Sequence, residues 1–227
     1  MAARDFNTRL ARRASRAGLQ LTDALSEQLS AYYELLSRWN RKINLTALDD
    51  PDQAIDRLLL EPIAAARHAP EGIRSLMDVG SGGGSPALPL ALALGHIQLV
   101  MVEVKARKSA FLREAIRTLS LSGSAEVENA RFEEVLAKPS LLEHFDALSI
   151  RAVRIESRVL NTVQAFVRPG GSVLLFRGPS GPERPDLLPP LEWRATVPLI
   201  DTLQSRLTVA TKTSRPNFVP RGTPALA

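Results

Sequence analysis

Eight consecutive residues, Asp78-Val79-Gly80-Ser81-Gly82-Gly83-Gly84-Ser85, hold one acid, four glycines and two serines. These types cradle a ligand better than they attack one. A glycine has no Cβ to hold a ligand away from the backbone, and N–H groups at a strand-to-helix turn suit a polar ligand. The apolar run over residues 76–79 enters the turn, and an apolar segment of helical spacing leaves it. A second acid, Glu103, closes the next apolar run about twenty residues on, the spacing of an acid that reaches a ribose hydroxyl in nucleoside-binding folds. Two plainer readings stay open: a βα turn that holds no ligand, and a Glu103 that only caps a helix start.

Apolar runs alternate with helical periods around this turn. Strands are expected over residues 75–79, 98–104, 125–129, 147–151 and 172–176, and helices over 85–94, 106–121, 132–137 and 155–167. Pro169-Gly170-Gly171 reads as a turn and residues 178–190 as a loop. Residues 194–199 and 206–210 follow with almost no helix between them, so they form an antiparallel hairpin at the sheet edge. This predicts an α/β fold: a mostly parallel seven-stranded sheet with helices on both faces and an antiparallel C-terminal hairpin.

A helical extension precedes the sheet. Leu25, Leu29, Tyr32, Leu36 and Trp39 form one stripe on a helix that Thr22 can cap. Asp50 and Pro51 open another helix as N-cap and first helical residue, with Gln53 closing a capping box. Pro62 predicts a kink or early break. The expected organisation is residues 1–72 as the extension, 73–212 as the body and 213–227 as a flexible basic tail.

The chain has 227 residues, 44% hydrophobic, no cysteine and a net charge of +5. The cysteine count excludes disulfides and cysteine-bound zinc, and no metal site is expected. No segment has the length of a membrane span or the pattern of a secretory signal, which predicts a soluble, cytoplasmic protein. Residues 1–17 carry five arginines against Asp5, and residues 202–227 carry Arg206, Lys212, Arg215 and Arg221 with no acid. Basic ends on a mildly acidic body suggest a polyanionic partner such as nucleic acid, with solvated tails as the alternative. Residues 1–17 look helical but poorly amphipathic, so they are expected to be mobile.

A nicotinamide dinucleotide and S-adenosylmethionine make similar demands of such a turn. Asp78, directly before the glycines, suits the charged amino-acid end of S-adenosylmethionine, and the closing hairpin replaces a second mononucleotide half. No Gly-Lys-Ser/Thr follows, which excludes a P-loop, and Gly83-Gly84-Ser85-Pro86-Ala87 lacks the last glycine of a hydrolase elbow.

The stretch Trp39-Asn40-Arg41-Lys42-Ile43-Asn44-Leu45-Thr46, the turn with Pro86 and Pro89, and Lys105-Ala106-Arg107-Lys108 through Phe111-Leu112 resemble the RsmG family, also called glucose-inhibited division protein B. Arg131-Phe132-Glu133-Glu134, Phe145-Asp146 with Arg151-Ala152, Phe176-Arg177-Gly178 and Arg206-Leu207 extend the resemblance. It implies a Rossmann-like class I methyltransferase that methylates guanine N7 of small-subunit (16S) ribosomal RNA. The implied cofactor is S-adenosylmethionine, the implied partner is ribosomal RNA or the small-subunit particle, and the protein is expected to be a monomer. Carried over by position, Asp78, Gly80, Ser81, Gly82 and Ser85 line the cofactor pocket. Glu103 holds the ribose, Phe132 and Glu133 flank the adenine, and Arg151 stands at the mouth as the catalytic candidate. Arg151, Arg177 and Arg206 are the phosphate candidates. The chain departs from the family pattern at Leu58 (usually histidine), Glu61-Pro62 (usually Asp-Ser), Ser85 (usually larger and apolar), Ile150 (usually serine) and Arg177 (usually lysine). N7 carries no proton, so the reaction needs no general base. The alternative function is a non-catalytic module that binds S-adenosylmethionine or RNA on the same fold.

Overall fold

The computed structural model describes residues 3–47, 50–151, 156–179 and 186–213. Seven strands form one sheet in the order β3-β2-β1-β4-β5-β7-β6. They are β1 (Ser75–Val79), β2 (Gln98–Val102), β3 (Ala125–Glu128), β4 (Phe145–Arg151), β5 (Val167–Arg177), β6 (Leu191–Pro198) and β7 (Arg206–Lys212). The first five are mutually parallel. β7 runs antiparallel between β5 and β6. β1 pairs with β2 on one side and β4 on the other, so the winding reverses there, and ligands of open α/β sheets bind outside the carboxyl ends of the strands at such a point.

Strand alternation decides what faces what. Leu76, Leu99, Met101, Ala147, Leu174 and Phe176 join one apolar cluster; Met77, Val100, Val102, Leu148, Val173 and Leu175 join the other. The second is covered by α7 (Phe132–Val135) and α8 (Ser157–Val163), the first by α5 (Ala87–Leu94), α6 (Ala106–Thr118) and the helical extension. By the same parity Asp78, Ser149 and Arg151 point to the extension's face.

The extension comprises α1 (Ala3–Arg16), α2 (Asp23–Asn40), α3 (Pro51–Ile55), a π-helical turn (Asp56–Leu60) and α4 (Glu61–Ala66). Thr22 caps α2 through Leu25 N–H, and Asp50 caps α3 through the N–H groups of Asp52 and Gln53, with Pro51 at the first helical turn, as the sequence predicts. Pro62 does not break the helix. It lies in the first turn of α4 just after the π turn, so the irregularity falls one turn early, in the wider coil of Asp56–Leu60. From Ala54 to Ala65 nearly every residue is buried, as a helix covered on all sides requires.

Two other expectations change. The basic N-terminal helix is docked: Phe6, Leu10 and Ala14 are buried, and Phe6 stacks on Tyr33 at 4.7 Å. Arg13 donates from Nε to Asp56 Oδ1 at 2.6 Å and from Nη1 to Asp52 Oδ2 at 2.8 Å, and Arg9 reaches Asp52 at 3.2 Å. These arginines serve the fold. Pro169-Gly170-Gly171 is also no free turn, because β5 begins at Val167, opposite Phe145, with a register irregularity before Ala147 takes Ser172. The helix expected from residue 155 is shorter, Ser157–Val163 followed by a 3₁₀ turn to Phe166. Residue 155 lies outside the described residues, as do part of the 178–190 loop and the tail from 214 with Arg215 and Arg221. No helix among the described residues is long and apolar enough to cross a membrane.

Candidate functional site

The glycine turn leaves β1 at its carboxyl end and is held from three sides. Gly80 N–H and Ser81 N–H both donate to Val102 O of β2, at 2.9 and 3.1 Å. Gly82, at φ +54°, donates its N–H to Glu103 Oε2 at 2.8 Å, while Glu103 Oε1 accepts from Lys105 N at the start of α6. Glu103 therefore caps a helix start and also binds the turn. Several of the turn's N–H groups are thus engaged by the protein, so its ligand-facing feature is the space a side chain would fill. At Gly84 the left-handed φ of +84° itself favours glycine, and a Cβ there would also stand 2.7 Å from Leu88 Cδ1.

The third side is the extension. Tyr32, fully buried in α2, donates its hydroxyl to Gly83 O at 2.5 Å. Burial raises its pKa above the ordinary phenol value. Leu36 and Leu45 pack on Gly83. Asn40 fixes the chain around Leu45: its Oδ1 accepts from Leu45 N and Thr46 N, and its Nδ2 donates to Thr46 O. Trp39 donates to Glu114 of α6 at 3.1 Å and meets Phe111 edge-on. The Trp-Asn stretch is thus the joint that seats the extension against the turn and α6.

Asp78 is wholly buried. Its Oδ1 accepts from Ser149 Oγ at 2.5 Å, and its Oδ2 has no hydrogen-bond partner. Burial raises its pKa above the usual carboxylate range, against the hydrogen bond from Ser149, the nearby Ser81 hydroxyl, which donates to the Asp78 main-chain carbonyl, and the charge of Arg151, which pull it down. Ser85 donates to Leu58 O of the π turn at 2.8 Å and accepts from Arg151 Nη1 at 2.9 Å. Arg151 lies over the Phe176 ring at 5.2 Å and gives its Nη2 to Glu61 Oε2 at 2.5 Å. Its Nε is buried without a partner.

Asp78, Gly80, Ser81, Gly82, Ser85, Glu103 and Arg151 are therefore brought together at one edge. Phe132 and Glu133 stand beyond β3 on the Glu103 side. There Asn129 Nδ2 ties the preceding loop to Glu103 O at 2.9 Å and Val104 O at 3.1 Å. Phe132 is half-buried against the second apolar cluster and Glu133 is exposed. Arg177 and Arg206 are paired across β5 and β7, and Phe176, one residue before Arg177, pairs with Arg151, so three arginines line adjacent strand ends. Arg177 is buried and Arg206 half-buried. Lys212, counted among the basic C-terminal residues, is buried and bound to Glu143 and to the carbonyls of Gln164 and Val167.

Sequence reasoning missed Tyr32, Glu61 and Ser149 as site residues. Glu61 did carry a signal, a lone acid inside the apolar run Leu58-Leu59-Leu60-Glu61-Pro62-Ile63-Ala64-Ala65. Tyr32 was visible only as one more apolar stripe position.

Known proteins resemble the chain at two levels. In fold, a putative O-methyltransferase from Klebsiella pneumoniae superposes with a TM-score of 0.57 at 14% identity, covering 88% of this chain and 94% of that one. A point mutant of MtNAS in complex with S-adenosylmethionine superposes with a TM-score of 0.51 at 15% identity, covering 82% and 72%. The sheet with its antiparallel closing strands is that of class I methyltransferases. In sequence, the ribosomal RNA small subunit methyltransferase G of Stenotrophomonas maltophilia (strain R551-3) is 37% identical over 162 residues, 71% of this chain and 73% of that protein. The family model described as rRNA small subunit methyltransferase G matches residues 25–184, from the stripe of α2 through the glycine turn to the loop beyond β5, and the chain belongs to that family, GidB.

Proposed function

We propose that this protein transfers a methyl group from S-adenosylmethionine to N7 of a guanine in small-subunit ribosomal RNA. Family membership supports methylation of ribosomal RNA. The observation that carries the cofactor reading is the edge where Glu103 grips Gly82 beside the unpartnered oxygen of Asp78.

The residues fit that cofactor. A buried carboxylate oxygen without a donor suits an ammonium group, and Asp78 would hold the methionine end. Gly80, where a Cβ would meet nothing within 4 Å, leaves open space along the turn that also carries Ser81, Gly82 and Ser85. Glu103 uses two of about four acceptor positions on Gly82 and Lys105, which leaves positions for ribose hydroxyls. Val104, a 52% exposed apolar side chain next to Glu103, and the loop to Phe132 and Glu133 would flank the adenine.

When bound, the cofactor supplies an electrophilic methyl carbon on a sulfonium. With Asp78 and Glu103 holding the donor, the N7 lone pair would form the new N–C bond while the C–S bond broke and sulfur kept its electron pair. N7 has no proton to lose, so the protein's task is to hold donor and base in line. The three histidines stand away from this edge: His96 and His144 precede β2 and β4, and His68 follows α4. The base leaves as a cation. Arg151 would sit at the mouth between cofactor and RNA, with Arg206 and the buried Arg177 toward the phosphates.

The test is methyl transfer from labelled cofactor to small-subunit RNA isolated without this modification, followed by nuclease digestion. Label in 7-methylguanosine is expected. Label on another atom, or none with a protein that binds the cofactor, overturns the reading.

A further inference from the structure

Glu61 is a carboxylate with no exposed surface, shared by two guanidinium groups. Arg151 Nη2 stands 2.5 Å from one oxygen and Arg57 Nη1 3.3 Å from the other. Arg151 is nearly buried, at 15% side-chain exposure, and Arg57 is 25% exposed. Arg57 Nη1 also lies 3.9 Å from where a Cβ on Gly178 would be, which puts it beside the end of β5. Two cations on one anion give this cluster a net positive charge, offset in part by Asp78, next to a pocket that must accept a sulfonium and then release a methylated, cationic base. Arg151 is needed there as a donor to Ser85, but its charge opposes both cations.

We propose that Glu61 is a positioning residue that acts as the site's counter-charge: it fixes Arg151 against Ser85 and Phe176 and cancels its charge, so that the pocket tolerates a cationic cofactor and a cationic product. Arg57 competes for the same carboxylate and sets how complete the cancellation is. Burial pushes the Arg151 guanidinium below its ordinary pKa and Arg57 adds to that, while Glu61 opposes it most and Asp78 opposes it less, which agrees with Glu61 as the principal counter-charge.

The inference rests on S-adenosylmethionine binding at the glycine turn. Its test needs no RNA and compares two ligands that differ by one methyl group and one positive charge. S-adenosylmethionine and S-adenosylhomocysteine are titrated calorimetrically into the full-length protein. Glu61→Gln weakens the charged ligand about tenfold more than the neutral one, an order of magnitude set by one uncompensated charge nearby. Glu61→Asp restores most of that difference. Arg57→Gln moves it the other way, favouring the charged ligand several-fold, because Glu61 then serves Arg151 alone. The opposite signs separate a counter-charge from a structural prop, whose loss weakens both ligands in parallel. Should Glu61→Gln fail to fold, the partly exposed Arg57 position and the Asp variant still decide. An unchanged ligand ratio in Arg57→Gln, or a parallel loss in the Glu61 variants, overturns the proposal. A wild-type protein that binds neither ligand overturns the cofactor reading, and this inference with it.

Discussion

Two acids on adjacent strands, Asp78 in β1 and Asp146 in β4, sit at opposite edges of the same sheet and have opposite surroundings. Asp146, at the edge where the strands begin, is saturated. Its Oδ2 accepts from Arg74 N at 2.8 Å, Ser75 N at 2.9 Å and Ser75 Oγ at 3.1 Å, and its Oδ1 from Arg168 Nε at 2.5 Å. Asp78, at the edge where the strands end, is more deeply buried yet holds one side-chain partner and an orphaned oxygen. Burial alone would raise both. At Asp146 the hydrogen bonds from Arg168, Arg74 and Ser75 outweigh it and hold the pKa below the usual carboxylate range; at Asp78 burial wins. A carboxylate that serves the fold is satisfied by the fold. One that is left short is the one the proposed cofactor's ammonium group would complete.

The largest effect should come from exchanging these roles. Asp78→Asn is expected to lower S-adenosylmethionine affinity by about 100-fold, the loss typical of removing one charge of a desolvated pair. The cofactor-free protein should unfold at the same or a higher temperature, because an uncompensated buried charge has gone. Asp146→Asn is expected to do the reverse, costing about 1–3 kcal/mol of stability while cofactor affinity stays within about twofold. Calorimetry and thermal unfolding on the two variants measure both. An Asp78→Asn protein that binds as tightly as wild type breaks the contrast.

Acid unfolding sharpens it. Asp146 has a depressed folded pKa, so its contribution is fully present above the unfolded value of about 3.9 and is lost as pH falls through the folded one. Asp78 has a raised folded pKa, so the folded state binds the extra proton and stability is lost as pH rises from about 3.9 toward the folded value. Urea midpoints across that range should show the gap between wild type and Asp146→Asn closing as pH falls. Relative to wild type, Asp78→Asn should gain as pH rises. Parallel curves would mean that the two acids titrate alike.

Much of this edge was legible in the sequence because its signals are local. Glycines, a terminal acid and alternating apolar strands each report on a few neighbouring residues, so the strands, the closing hairpin and the place of Glu103 at the end of the strand after the glycine turn could be foreseen, though not its bond to Gly82. What could not be foreseen comes from distant parts of the chain. Ser149 reaches Asp78 from 71 positions away and Glu61 reaches Arg151 from 90, and no periodicity encodes either pair. The docking of α1 was missed for a related reason: Arg13 looks like one more charge in a basic run until Asp52 and Asp56 are folded beneath it. Pro169-Gly170-Gly171 misled because turn residues also occur where an edge of a strand bends.

A smaller effect is expected at the join between extension and turn. Tyr32→Phe keeps the ring packed and removes only the hydroxyl on Gly83 O. Stability should fall by about 1 kcal/mol, and cofactor affinity a few-fold, because the carbonyl is left buried without its donor and the turn loosens. Hydrogen exchange should speed up around Gly82–Gly84 more than in the second apolar cluster. Faster exchange everywhere would make Tyr32 a core residue and nothing more.

The smallest effect separates two groups of arginines that the charge count alone treats alike. Arg13 is 11% exposed and bound to Asp52 and Asp56, and Thr202 Oγ1 also donates to Asp56, so this network ties α1 to α3 and to the turn before β7. Arg206 opens β7 at the edge that carries Arg151 and is half-buried. A cation already neutralised by carboxylates releases no counterions when RNA binds, whereas one that meets a phosphate does. Arg206→Ala should therefore reduce the slope of log affinity for ribosomal RNA against log salt by about one. Arg13→Ala should leave that slope unchanged while lowering the unfolding temperature. A flatter slope for Arg13→Ala would return the N-terminal helix to the RNA surface, against the ion pairs that hold it down.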